Sequence, residues 1–157
     1  MYKWKYNYLR AVIYSAWKLF LALAGARKHY KNYFVNVFYF ADIFLNAVSG
    51  GHPDVTVSAR TGRYAYYYGD RKNFAGWFWR TLETIINKTF EPLDGPDHCY
   101  QAWQWTLDNI EDKRGEPVRL RQGPAIVFIP LMVVSTVACF FLFFILRFLK
   151  LIGKTPY

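Results

Sequence analysis

From Gly123 to Leu146 the chain runs without a single charged residue, GPAIVFIPLMVVSTVACFFLFFIL, and no other feature constrains the fold as strongly. Ala125 to Leu146 alone gives roughly 33 Å of helix, enough to cross the roughly 30 Å hydrocarbon core of a bilayer. A soluble surface helix keeps one polar face, whereas here every face is apolar. Phe140, Phe141, Phe143 and Phe144 occupy all sides near the far end. The preceding body of about 120 residues is too small to bury such a cylinder all round. Ser135 and Thr136 can bond back to their own helix. Pro130 falls in the first turns, where a missing N–H costs least. Arg121 before the run, and Arg147, Lys150 and Lys154 after it, are suitable interfacial anchors. The expectation is one transmembrane helix over 125–149, preceded by a basic juxtamembrane linker (113–124) and followed by a short basic tail (150–157).

Charge is distributed unevenly. Residues 1–60 hold eight Lys/Arg against Asp42 and Asp54, residues 61–110 are near balance, and residues 122–157 hold three bases and no acid. A polyanionic partner is implied, either anionic lipid headgroups or nucleic acid. The hydrophobic share is 54% and the charged share 20%, which excludes intrinsic disorder and collagen. Two cysteines, Cys99 in the polar body and Cys139 in the apolar run, make no disulfide framework.

The N-terminal segment, 1–28, is amphipathic. Lys3, Asn7, Arg10, Tyr14 and Lys18 share one helical face, with Val12, Ile13, Ala16, Leu19, Phe20 and Leu23 opposite and Gly25 as a stop. Lys18 argues against both a signal peptide and a second span, where it would cost roughly 2.5–3.5 kcal/mol at mid-bilayer. An interfacial helix accommodates every residue, with bases at the headgroups, Trp4 and Trp17 at the boundary and aliphatics inward; a helix packed against the body is the companion reading.

The expected body, 29–112, is helical. Residues 29–49 read as a helix closed by Gly50-Gly51, with Asn32, Asn36, Tyr39 and Asn46 as a narrow polar stripe in an otherwise apolar surface. Such a surface suits a core, lipid or another protein. In GGHPDVTVSARTGRY (50–64), Pro53 fixes φ, Asp54 is a candidate N-cap and Gly62 a stop or a positive-φ position. Its hydroxyls and cations would suit phosphate, but neither GxxxxGK[ST] nor GxGxxG is present. The tyrosines of RYAYYYGDRK (63–72) permit a strand near Arg63–Tyr68, stacking on single-stranded nucleic acid, or a membrane-interface belt. Residues 73–90 show a helical stripe of Phe74, Trp77, Phe78, Leu82, Ile85, Ile86 and Phe90. Gly95-Pro96 then breaks the chain, Asp97 is an N-cap, and His98-Cys99 open a helix to about Asp112.

The order of Asp42, Asn46, Gly50, Gly51, Pro53, Asp54, Thr56, Ser58 and Arg60, followed by Asp97, His98, Cys99 and Ala102, resembles a group of small tailed-bacteriophage proteins. It covers roughly residues 40–110, with His52 standing where that group has an acid. The resemblance implies a phage gene product made inside a bacterium. It carries no activity with it.

The same residues include types that chemistry could use. His52, Asp54, His98 and Cys99 are metal-ligand types, but adjacent His98 and Cys99 point about 100° apart on a helix. A Cys–His nucleophile meets the same objection and lacks a visible orienting group. A glycosidase-like carboxylate pair would need an acid in an apolar setting, and none stands out. No catalytic, cofactor or metal site is therefore expected, and the motif residues are read as structural.

The expected function is non-enzymatic: a membrane-anchored phage protein acting on host-membrane or virion components, in lysis control, superinfection exclusion or genome delivery. A membrane-tethered nucleic-acid-binding module is the alternative, and a small envelope hydrolase the second. Lys113, Arg114, Arg119 and Arg121 nearly balance Arg147, Lys150 and Lys154 across the span. Seven further bases in residues 1–31 favour a cytoplasmic body and a periplasmic C-terminus at the host inner membrane.

Overall fold

A computed structural model describes residues 8–70, 72–111 and 125–153. Among these the chain is almost entirely helical, with six α-helices and no strand: α1 (Tyr8–Leu23), α2 (Tyr33–Val48), α3 (Val57–Tyr68), α4 (Phe74–Asp94), α5 (His98–Thr106) and α6 (Ala125–Leu151). A π-helical turn, Leu107–Glu111, continues α5. The mostly-α reading holds. The expected linker (113–124), residues 1–7 of the first segment and residues 154–157 of the tail lie outside the described residues.

The described residues fall into two compact units, 8–57 with 125–128, and 58–111 with 129–153. In the first, α1 and α2 form an antiparallel hairpin, with the Tyr8 hydroxyl donating to the Val48 carbonyl (2.7 Å) and the Tyr33 hydroxyl to the Leu23 carbonyl (2.8 Å) at the other end. Gly25 stops α1 with φ +69°, a conformation glycine adopts without a Cβ penalty. Asn32 caps α2 through its side chain, accepting from Phe34 N (2.9 Å). The second helix thus begins four residues later than its hydropathy suggests.

The contact surface of the hairpin is small and apolar: Ala22, Phe40 and Ile43, flanked by Leu19 and Tyr39. Around it the usual distribution is reversed. Ser15, Lys18, Asn36 and Asn46 are buried, while Leu9, Ile13, Trp17, Phe20, Phe34 and Phe38 are exposed. Lys18 therefore does not face headgroups as expected; it is 2% exposed and paired within the unit.

In the second unit, the tyrosine-rich stretch is helical, which removes the expected strand near Arg63–Tyr68. Tyr64 is held in α3 by stacking on Trp79 of α4 (4.7 Å), so tertiary packing overrides the β preference of its tyrosines. Asn73 caps α4 by accepting from Gly76 N (3.0 Å), Pro92 sits in its last turn, and Gly95 (φ +82°) ends it. Phe78, Trp79, Leu82 and Ile86 form its buried stripe.

Among the described residues, one helix is long and apolar enough to cross a membrane. Its qualifying stretch is Val133–Leu151, of which 17% is buried within the chain, unlike the mostly buried core helix of a soluble body. This stretch lies further along than Ala125–Leu146 and includes Arg147 and Lys150. Val133, Val134, Val137, Phe140, Phe141, Phe144, Ile145 and Phe148 face outward, while Ser135, Cys139 and Leu146 face inward. Arg147 reaches the Glu91 carboxylate of α4 (2.8 Å).

Candidate functional site

The motif residues occupy two clusters. In the first unit, Asn46 of α2 organises the turn that follows it. Its amide donates to the carbonyls of His52 (3.0 Å) and Val55 (2.8 Å). Gly50 has φ +80°, and a Cβ at Gly51 would run into the Asn46 side chain. The pair of glycines therefore lets the chain fold back over Asn46. Asp42 accepts from Val57 N (3.2 Å), a role in starting α3 that the sequence suggested for Asp54. Thr56 immediately precedes that helix.

Asp54 is engaged elsewhere. Its carboxylate pairs with the Lys18 ammonium, which also donates to the carbonyl of buried Pro53 (3.1 Å) and lies 4.2 Å from the Tyr14 ring centroid. His52 Nδ1 accepts from Asp54 N (3.2 Å). A carbonyl and a carboxylate together satisfy a cation that would otherwise be expensive to bury.

In the second unit, His98 opens α5 and lies 2.5 Å from Asp94 Oδ2 through Nδ1 and 3.3 Å from Ser58 Oγ through Nε2. Phe90 stacks on its imidazole (4.4 Å). Asp97 precedes α5 but makes no side-chain cap bond. Asn87 of α4 supplies the acceptor instead, taking the Cys99 N–H at 2.8 Å. Gly62 is neither a stop nor a positive-φ position. It lies mid-helix, and a Cβ there would collide with the Cys99 carbonyl. Cys99 is fully buried and Cys139 nearly so, both as thiols. The Ala102 carbonyl accepts from Thr106 (2.9 Å).

Among the described residues, Arg60 is the largest fully buried side chain. Its guanidinium lies 5.9 Å from the centroids of both Tyr64 and Trp79. Burial pushes its pKa down to about 10, which leaves it charged at neutral pH.

Asp94 is the residue that sequence reading missed. It supplies the orienting carboxylate that a His98-based nucleophile lacked, and its i, i+4 spacing from His98 was the available signal. The order Asp94–His98–Ser58 has the connectivity of a hydrolytic triad. Ser58, however, is 7% exposed beneath an imidazole already covered by Phe90, so the arrangement is placed as a polar clasp joining α3, α4 and α5. Among the described residues, no group of three or more His, Cys, Asp or Glu is placed to hold a metal ion. No family model, curated protein or solved structure matches this chain.

Proposed function

We propose that this chain is a membrane-anchored protein of phage origin, held in the host inner membrane by α6. It acts through contacts with other membrane or virion components rather than by turnover, in lysis control, superinfection exclusion or genome delivery. The observation that carries the reading is the outward apolar surface of α6, from Val133 to Phe148. Engagement of the motif side chains by main chain and by one another supports a contact role over chemistry. Basic-residue counts favour a cytoplasmic body and a periplasmic C-terminus, an orientation in which α6 crosses the bilayer only by releasing Arg147 from Glu91 of α4.

The test is fractionation with topology. The full chain should stay in the membrane pellet after carbonate extraction, and a periplasm-active reporter fused after Tyr157 should be active. Release by carbonate would overturn the anchor, and an inactive reporter would overturn the orientation. Ser58-dependent labelling by a fluorophosphonate would overturn the non-enzymatic assignment.

A second reading, a membrane-tethered nucleic-acid binder, rests on a shallow depression lined by Lys72, Phe74, Trp77 and Arg80. Phe74 and Trp77 are exposed there beside Lys72, an arrangement that stacks on bases and neutralises phosphate, while Arg80 is paired with Asp70 and Glu83 and would have to exchange them for phosphate. Retention of single-stranded DNA that falls steeply with salt would establish it.

A further inference from the structure

The α1–α2 hairpin turns its polar residues inward and its apolar residues outward. On α1 the outward side chains are Leu9, Ile13, Trp17 and Phe20, spaced i, i+4, i+8 and i+11 along one face; on α2 they include Phe34, Val35 and Phe38. Each of these is at least 47% exposed. The inward polar groups are Lys18, Ser15, Asn36 and Asn46, all buried. In water this arrangement loses on both counts, leaving large apolar side chains hydrated and removing polar groups from solvent. Hydrocarbon reverses both terms. Polar groups then belong inside, where they find partners, and aliphatic and aromatic side chains belong outside.

Charge completes the pattern. Between Ile13 and Leu23 the only charged residue is Lys18, and it is turned inward onto Asp54. The connection between the helices gathers Arg27, Lys28, His29 and Lys31, with Tyr30 and Tyr33 beside them. Lys28 and Lys31 are exposed. Apart from exposed Arg10, near the far end of α1, the outward belt is free of charge, and a cationic, tyrosine-bearing edge beside such a belt matches anionic headgroups beside acyl chains. Each helix has 16 residues, or roughly 24 Å, short of the roughly 30 Å hydrocarbon thickness. The hairpin therefore seats in the membrane without needing to cross it.

We propose that the α1–α2 hairpin is a second membrane-binding element, its outer side chains among the acyl chains and its Arg27–Lys31 connection at anionic headgroups. This goes beyond the α6 anchor and does not depend on it. A protein partner is disfavoured because the outward residues carry no matched polar or charged group to fix a register, whereas lipid requires none.

The full chain is reconstituted into phosphatidylcholine–phosphatidylglycerol vesicles, with an environment-sensitive fluorophore placed in turn through Ile13→Cys, Phe38→Cys, Lys28→Cys and Phe140→Cys. Unsubstituted chain, whose two cysteines are buried, sets the background. Brominated acyl chains should quench positions 13 and 38 at least about twofold and leave position 28 little changed, since an interfacial element lies only roughly 5–10 Å deep. Quenching at 140 but not at 13 or 38 would overturn the hairpin proposal and leave the α6 anchor standing. Quenching at 13 and 38 but not at 140 does the reverse. Lack of quenching at 13 and 38 with cross-linking between them in two copies would assign the face to self-association and overturn the proposal. A diazirine carried on an acyl chain checks the unsubstituted protein: label should appear in peptides spanning Leu9–Leu23 and Phe34–Phe38. Its absence from both would overturn the proposal even if a cysteine variant misfolds.

Discussion

The Lys18 ammonium and the Asp54 carboxylate, separated by 36 positions of sequence, form an ion pair inside the α1–α2 unit. Their side chains are 3% and 18% exposed, so water reaches Lys18 hardly at all, and each charge leans on the other, with the Pro53 carbonyl as a second acceptor for the ammonium. Losing either partner leaves an uncompensated charge. Lys18→Met or Asp54→Leu should each destabilise the unit by about 2–4 kcal/mol, whereas the double replacement should restore most of it. Thermal unfolding in detergent for the four proteins closes the cycle. Additive losses in the double variant would show that the two residues act independently.

Gly62→Ala should be among the most damaging single-methyl changes. The added Cβ meets a main-chain carbonyl, which cannot swing aside as a side chain can, so about 1–3 kcal/mol is expected. Gly95→Ala makes a comparison of different origin. Nothing lies within 4 Å of a Cβ there, but φ is +82°, and the backbone alone should cost about 1 kcal/mol. Denaturant midpoints should rank Gly62→Ala below Gly95→Ala.

Asn87→Ala removes the acceptor for the Cys99 N–H, one of the free donors in the first turn of α5. The expected loss is about 1 kcal/mol, like that of an N-cap deletion. Amide hydrogen exchange should accelerate at Cys99 and the following turn before it changes in α2. Uniform acceleration across both units would contradict a local role.

Glu91 gives the acid limb of stability a defined shape. The hydrogen bond from Arg147 and the nearby Lys88 charge hold its carboxyl below the ordinary carboxylate range. Its ionised form thus contributes fully above the unfolded-state pKa, and that contribution disappears as pH falls through the lowered folded-state value. Glu91→Gln should leave the neutral midpoint only slightly changed and flatten the acid dependence. An unchanged slope in a melting series from neutral to acid pH would show that the pair is not maintained in solution.

Helix content and several boundaries were legible because local chemistry sets them. Gly25 ends α1, Gly95 ends α4, and Phe78, Leu82 and Ile86 of the periodic stripe form a buried face, whereas Phe74 and Trp77, expected in the same stripe, are exposed. Periodicity assigned Lys18 to a polar face but could not say which way that face turns, since the deciding partner is Asp54, far along the chain. The tyrosines of 64–68 carry β preference, and only Trp79, brought alongside by α4, makes the helix the better state. Gly62 looked like a terminator because a close approach and a positive φ leave the same mark on a sequence. His98 was visible as a hydrogen-bonding residue at a helix start; its partner Asp94 was signalled by i, i+4 spacing alone, and Ser58, 40 positions away, became apparent only when α3 met α4 and α5.

Asn36 shows what a single amide can set in advance. Its oxygen accepts from His29 N (2.6 Å) and Tyr30 N (3.3 Å), and its nitrogen donates to the Arg27 carbonyl (2.7 Å). His29 stacks on Tyr39 (4.5 Å), and Arg27 lies over the Phe40 ring (5.2 Å). The cationic connection is therefore ordered before it meets any anion. A loose loop of the same composition would surrender backbone freedom on contact, at about 1–2 kcal/mol for each residue fixed. Here that entropy has already been lost during folding, so the attraction of Arg27, Lys28 and Lys31 for a negative surface is available as binding affinity.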